Sequence, residues 1–177
     1  MSPPFPTMNA RLRQACQRLG LARHEMRKLA RLAENPEVLD SELLVFSAEA
    51  FRRHLHTLVS EGGETAPPHA LCMFALRGEG VDLHHAVQIL NGGTRGHDIV
   101  ARTGRNCFTL LLRDCRTAGA RAVARRLARD LRKGCFPAGS GTVHWAVDEL
   151  RNAIRDGRPL ERLAGRLALE EKKIPLS

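Results

Sequence analysis

The run HALCMFALRG, residues 69–78, decides the fold class, because a short apolar run of this length can form either a buried strand or a buried helix. Its apolar residues also fit helical spacing, and alanine, leucine and methionine outnumber β-branched residues in it. We therefore predict a helix here. The adjoining run VDLHHAVQILNGG predicts another helix, with Asp82 as its N-cap and Asn91 and Gly92 at its end.

The composition of the rest of the chain also favours helices. Aromatic residues make up only 4% of the 177 residues, tyrosine is absent, and the apolar residues are mostly leucine and alanine. Capping residues and apolar spacing mark further helices over 9–20, 22–33, from Asp40 or Ser41 to Val59, over 142–157, and from Pro159 to about Glu171. We predict an all-α fold of eight to ten short helices in two small packed bundles.

The loop EGGETAPP, residues 61–68, is the best candidate for a boundary between two helical lobes. A chain of this length suits one domain or two small subdomains. The prediction is an N-terminal lobe over 1–62 and a C-terminal lobe over 67–177, which contains a basic helix over 117–133.

The basic helix lies in the run RTAGARAVARRLARDLRKG, residues 116–134. At about 100° per residue, one side of this helix is basic. Residues 101–133 carry ten lysines and arginines against Asp114 and Asp130, which is a local charge of +8 out of +9 for the chain. A positive face this concentrated favours a polyanion partner, most simply nucleic acid. The arginines on that side are Arg121, Arg125, Arg129 and Arg132, opposite Ala124, Leu127, Ala128 and Leu131.

Other classes of protein fit the sequence less well. No stretch approaches the roughly 18 apolar residues of a membrane-spanning helix, and the first residues, MSPPFPTM, lack the order of a signal peptide. The five cysteines form no CxxC pair, which argues against a disulfide framework and against a zinc site. NGGTRG, residues 91–96, lacks the spacing and the lysine of a phosphate-binding P-loop. We expect a cytoplasmic protein with no membrane contact, no metal and no cofactor.

The second half of the chain resembles a known family. An apolar segment with a glycine break, HALCMFALRGEG, is followed by a basic stretch at Arg105–Asp114, the Arg-rich helix at Thr117–Lys133 and a tryptophan-containing segment at Val143–Ile154. This order resembles the small subunit of the type I CRISPR effector complex, Cascade, most closely in its type I-E form. The resemblance covers roughly residues 69–156.

The resemblance implies an all-helical, non-catalytic subunit that acts in antiviral defence. Such a subunit forms a homodimer within the ribonucleoprotein complex, beside the backbone and large subunits. It stabilises the R-loop through the displaced non-target DNA strand and the duplex of crRNA and target strand. Its implied nucleic-acid contacts are Arg27, Lys28, Arg31, Arg102, Arg105, Arg113, Arg121, Arg125 and Arg129.

Two alternatives remain open on the residues alone. Residues 11–33 are similar to the opening of a helix-turn-helix DNA-binding regulator, in which two helices flank a turn. A Cys/His hydrolase or acyltransferase would instead use Cys107 at a helix start, His85 or His69 as the base, and Asn91 to orient that base.

Overall fold

The computed structural model describes residues 39–40, 42–43, 45–61, 67–137, 140–151 and 159–172. These residues form four helices and a four-stranded sheet that alternate along the chain. In chain order the elements are α1 (Ala48–Glu61), β1 (Ala70–Gly78), α2 (Leu83–Gly92), β2 (Ile99–Gly104), β3 (Cys107–Leu112), α3 (Thr117–Gly134), β4 (Gly141–Glu149) and α4 (Pro159–Lys172).

The sheet has the strand order β2-β3-β1-β4, and every neighbouring pair is antiparallel. β2 and β3 form a hairpin, whereas β1 lies between two strands that come much later in the chain. Ala70, for example, pairs with Leu112 on one side and with Glu149 on the other. This β-α-β-β-α-β order is the split β-α-β arrangement of ferredoxin-like folds.

Helices cover both faces of the sheet and divide its core into two layers. Apolar side chains of α2 and α3 pack on one face, where Phe74 and Phe108 are fully buried. α1 and α4 cover the other face, where Phe51 and Leu163 are fully buried. The fold therefore has three layers, and β1 lies at its centre.

The predicted all-α fold is wrong, because one predicted helix and the first part of another are strands. Residues 70–76 in HALCMFALRG are all nearly inaccessible to solvent, as expected for a central strand that is covered on both faces. Such a strand shows no alternation of apolar and polar residues, so its spacing also fitted a helix. The helix predicted over 142–157 is wrong at its start, where Val143, Trp145 and Val147 turn alternate side chains toward α3 in β4.

Other predicted elements are confirmed. α2 ends at Gly92, and its N-cap Asp82 accepts a hydrogen bond of 2.9 Å from the backbone N–H of His85. The basic helix and the helix starting at Pro159 are also present. The helix predicted to start at Asp40 or Ser41 starts later, after Ser47, whose hydroxyl accepts from Ala50 N–H.

Several predictions fall partly or wholly outside the described residues. The helices predicted over 9–20 and 22–33 lie there, and so does the candidate helix-turn-helix. The division into lobes over 1–62 and 67–177 stays a prediction. Within the described ranges, no helix is both long enough and apolar enough to cross a membrane.

Gly141 at the start of β4 has no room for a side chain. A Cβ atom placed there would lie 1.9 Å from Cδ1 of Phe136, whose ring packs against the α2–α3 layer. We expect Gly141→Ala to lower the free energy of unfolding by about 1–3 kcal/mol through overpacking, measured by urea denaturation.

A control and a rescue separate this clash from a general cost of replacing glycine. Gly165 in α4 has no atom within 4 Å of a built Cβ, so Gly165→Ala should stabilise the helix by about 0.5–1 kcal/mol. Adding Phe136→Ala to Gly141→Ala should cost less than the sum of the two single changes. Strictly additive costs would contradict the proposed clash.

Candidate functional site

The turn between α2 and β2 is organised by the carboxylate of Asp98, which is only 4% exposed. Its Oδ2 accepts a hydrogen bond of 2.8 Å from the backbone N–H of Arg95, within the turn. Its Oδ1 accepts one of 3.1 Å from the backbone N–H of Arg113, just after β3. The carboxylate therefore fixes the shape of the turn and joins it to the end of the neighbouring strand.

Arg126 of α3 reaches the same turn from the other side. Its Nη2 donates a hydrogen bond of 2.6 Å to the carbonyl oxygen of Gly93, the residue that caps α2. Gly93 also packs tightly against Leu127, since a Cβ at this glycine would lie 2.4 Å from Cδ2 of Leu127. The turn from Gly93 to Asp98 is thus held by α3 and by Asp98.

The surface of this turn is basic. Arg95, His97 and Arg126 are exposed, whereas the only carboxylate in the turn, Asp98, is buried beneath them. His97 Nε2 lies 3.9 Å from Asp98 Oδ1, so the imidazole is a near neighbour of that carboxylate. The exposed guanidinium of Arg95 in the turn, together with that of Arg126 on α3, can bind phosphate oxygens in pairs, or the O6 and N7 edge of guanine.

Cys115 lies close enough to this turn for the charges of Arg95 and Asp98 to affect the pKa of its thiol. Burial raises the pKa of Cys115, and the negative charge of Asp98 raises it further, while the positive charge of Arg95 acts in the opposite direction. The thiol therefore stays protonated at neutral pH and is not set up as a nucleophile.

The β2–β3 hairpin carries a second group of arginines at the opposite end of the strands. Arg102 bonds Glu42 at 2.6 Å and Asp40 at 3.4 Å, and its Nη2 donates to the carbonyl oxygen of Arg105. Burial alone would lower the pKa of Arg102, but the hydrogen bond that it donates to Glu42 and the charge of Asp40 raise it above its ordinary value. These contacts fasten the hairpin to the segment before α1.

The residues predicted to contact nucleic acid lie on separate surfaces of the structure. Arg102 forms ion pairs with Asp40 and Glu42, while Arg105 is exposed in the hairpin turn. Arg113 donates toward Nε2 of His54 at 3.1 Å, and its buried Nε has no hydrogen-bond partner. Arg121, Arg125 and Arg129 are exposed together along α3. Arg27, Lys28 and Arg31 lie outside the described residues.

The structure does not assemble the predicted Cys/His site. Cys107 lies at the start of β3, not at a helix start, and it pairs with Ala75, whereas His69 precedes the other end of β1. His69 Nδ1 accepts from the backbone N–H of Asp114, and His85 Nδ1 lies 3.1 Å from Oε1 of Gln88. Among the residues that are described, no three His, Cys, Asp or Glu side chains form a group that could hold a metal ion.

Comparison with known proteins gives a structural likeness without a sequence match. No protein-family model and no curated protein matches the chain. The structure is similar to the diguanylate cyclase SiaD of Pseudomonas aeruginosa, solved with its activator SiaC, with a TM-score of 0.58, 18% identity, and coverage of 85% of this chain and 71% of that one.

Two further structures extend this likeness. The GGDEF domain of DgcB from Caulobacter crescentus, solved in complex with c-di-GMP, has a TM-score of 0.62 and 12% identity, covering 77% of this chain and 88% of that one. The GGDEF domain of FimX from Pseudomonas aeruginosa has a TM-score of 0.60 and 15% identity, covering 77% and 92%. The fold is that of GGDEF domains.

This likeness overturns the predicted identity. A small subunit of the CRISPR effector complex, with crRNA, DNA strands, backbone and large subunits as partners, does not fit a GGDEF fold. The helix-turn-helix regulator and the Cys/His hydrolase do not match either. The prediction that the protein is not an enzyme conflicts with its likeness to cyclase domains.

The string GGDEF itself does not occur in the chain. The segment GRNCF, Gly104 to Phe108, has the same first and last residues as GGDEF. It lies across the β2–β3 hairpin. Asn106 and Cys107 occupy the third and fourth positions, where the string has two acidic residues.

Sequence reasoning missed the residues of the α2–β2 turn. NGGTRG lacks the features of a P-loop and carries no other known motif, and Arg126 lies off the line of Arg121, Arg125 and Arg129. The available signal was an arginine and an aspartate, Arg95 and Asp98, directly after the glycines that end a helix.

Proposed function

We propose that this domain binds cyclic di-GMP at the turn between α2 and β2, through the side chains of Arg95 and Arg126. The observation that carries the proposal is the hydrogen bond from Arg126 to Gly93, which brings a guanidinium of α3 to the turn that Arg95 occupies. The fold likeness supports it, because a GGDEF domain of this shape was solved with c-di-GMP.

The chemistry of the turn fits this ligand. Cyclic di-GMP carries two phosphodiester anions and two guanine bases, and an arginine fork can bind either group with two parallel hydrogen bonds. Asp98 acts as a positioning residue, because its carboxylate is buried and holds two backbone N–H groups. The two exposed arginines then supply the contacts to the ligand.

We place this activity in the cytoplasm as part of the same proposal. The four cysteines in the described part of the chain are free thiols, which suits a reducing compartment.

Titration calorimetry of the full chain with cyclic di-GMP tests the proposal. We expect saturable binding by the wild-type protein and at least a tenfold loss of affinity for Arg126→Ala, which corresponds to about 1.4 kcal/mol. The reason is the loss of one charge-assisted contact to the ligand.

Arg129→Ala is the matched control, since Arg129 is exposed on α3 three residues further along and forms no hydrogen bond with Gly93 in the described part of the chain. Its affinity should stay within about twofold of wild type, because it lies off the ligand site. Absence of binding by the wild-type chain, or equal losses in the two variants, would overturn the proposal.

A further inference from the structure

The outer side of α3 carries a basic surface that the ligand site does not use. We define the α3 stripe as Arg121, Arg125, Arg129 and Arg132, all of which are exposed. Arg126 turns toward the end of α2, so the stripe lies on the other flank of the helix. Within the part of the chain that the structure describes, none of the four side chains forms an ion pair.

The stripe has a regular spacing that suits a repeating charge. Its residues follow one another at intervals of four, four and three, so each step rises by about 4.5–6 Å and the whole stripe extends over about 16 Å. Asp130 is the single acidic residue in α3, and Lys133 adds another exposed cation at the C-terminal end. The surface is therefore a line of positive charge with little internal neutralisation.

The neighbours of the stripe argue against a protein partner and against a membrane. Between the arginines α3 exposes Ala118 and Ala122, with no large apolar or aromatic side chain of the kind that anchors protein interfaces. The apolar side of α3 cannot enter a bilayer, because Ala124, Leu127 and Leu131 are buried against the sheet.

We infer that the α3 stripe binds nucleic acid through its phosphates, without reading the bases. Four arginines along one line can each hold a phosphate oxygen, and arginine does so with a planar fork of donors. The absence of exposed aromatic side chains along α3 leaves charge as the main attraction. This inference is independent of cyclic di-GMP binding, since it uses a different flank of the helix.

Fluorescence anisotropy with a labelled 30-nucleotide DNA single strand of mixed sequence, at 50 to 200 mM salt, tests the inference. Each lost phosphate contact should make the slope of log affinity against log salt shallower by about 0.7. We therefore expect Arg121→Glu with Arg125→Glu to reduce affinity at least tenfold at 50 mM salt and to flatten the slope by about 1.4.

The matched control is Arg52→Glu with Arg53→Glu, which makes the same change of charge at two exposed positions of α1. This control should lose much less affinity and keep the wild-type slope. Equal losses in the two double variants would assign the binding to net charge and overturn the inference. Binding to vesicles of 30% phosphatidylserine without binding to the oligonucleotide would also overturn it.

Discussion

Asp98→Ala is expected to lower both the stability of the domain and its affinity for cyclic di-GMP. The change removes a buried carboxylate and leaves the backbone N–H groups of Arg95 and Arg113 without their acceptor. Unsatisfied buried donors cost about 1–3 kcal/mol each, so we expect a loss of about 2–4 kcal/mol in the free energy of unfolding. Affinity for cyclic di-GMP should fall more than tenfold, because Arg95 is no longer held in place. Urea denaturation and titration calorimetry measure the two effects.

Asp98→Asn separates the contribution of charge from that of shape. The amide keeps one acceptor oxygen, so its stability should lie between those of wild type and Asp98→Ala. Asp130→Ala, which removes an exposed carboxylate from α3, is the control and should change stability by less than about 0.5 kcal/mol. Wild-type affinity in an Asp98→Ala variant that still folds would remove the turn from the proposed ligand site.

Asp148→Ala is expected to loosen α4 from the sheet. Asp148 is 4% exposed, and its carboxylate oxygens lie 3.1 Å from Arg162 Nε and 3.1 Å from Arg166 Nη1, both on α4. Removing one partner of a buried ion pair costs about 3–5 kcal/mol, and the half-exposed arginines reduce this to about 2–4 kcal/mol here. Urea denaturation gives the total, and hydrogen exchange locates the loss in α4.

Arg166→Ala provides the comparison for this effect. Arg166 is 42% exposed on its side chain and leaves Asp148 paired with Arg162, so we expect a loss of only about 0.5–1 kcal/mol. A similar cost for the two changes would show that the carboxylate is not the centre of this contact. An Asp148→Ala variant as stable as wild type would contradict the proposed attachment of α4.

The sequence predicted local structure better than it predicted the sheet. α2 could be placed because Asp82 and Gly92 mark its ends within the helix itself, and the amphipathic pattern of α3 is equally local. β1 could not be recognised, because its apolar residues face helices on both sides and this burial depends on parts of the chain far away. A helix predicted at β1 favours an all-α family, which the strand found there excludes.

The candidate ligand site could not be predicted from the sequence for a similar reason. Gly93 and Arg126 are neighbours only because α2 and α3 pack side by side on one face of the sheet. No spacing along the chain indicates that contact. The α3 stripe, by contrast, follows from residues on one helix, and its four arginines are exposed in the structure.

The position of β1 in the sheet also affects how the domain folds. Gly78 pairs with Gly141 and Ala70 pairs with Glu149, so one side of the central strand stays open until residues 141–149 have been made. Closing such long loops costs entropy before any contact repays it, which slows folding. During synthesis the exposed edge of β1 is therefore a site where unfinished chains can pair with one another.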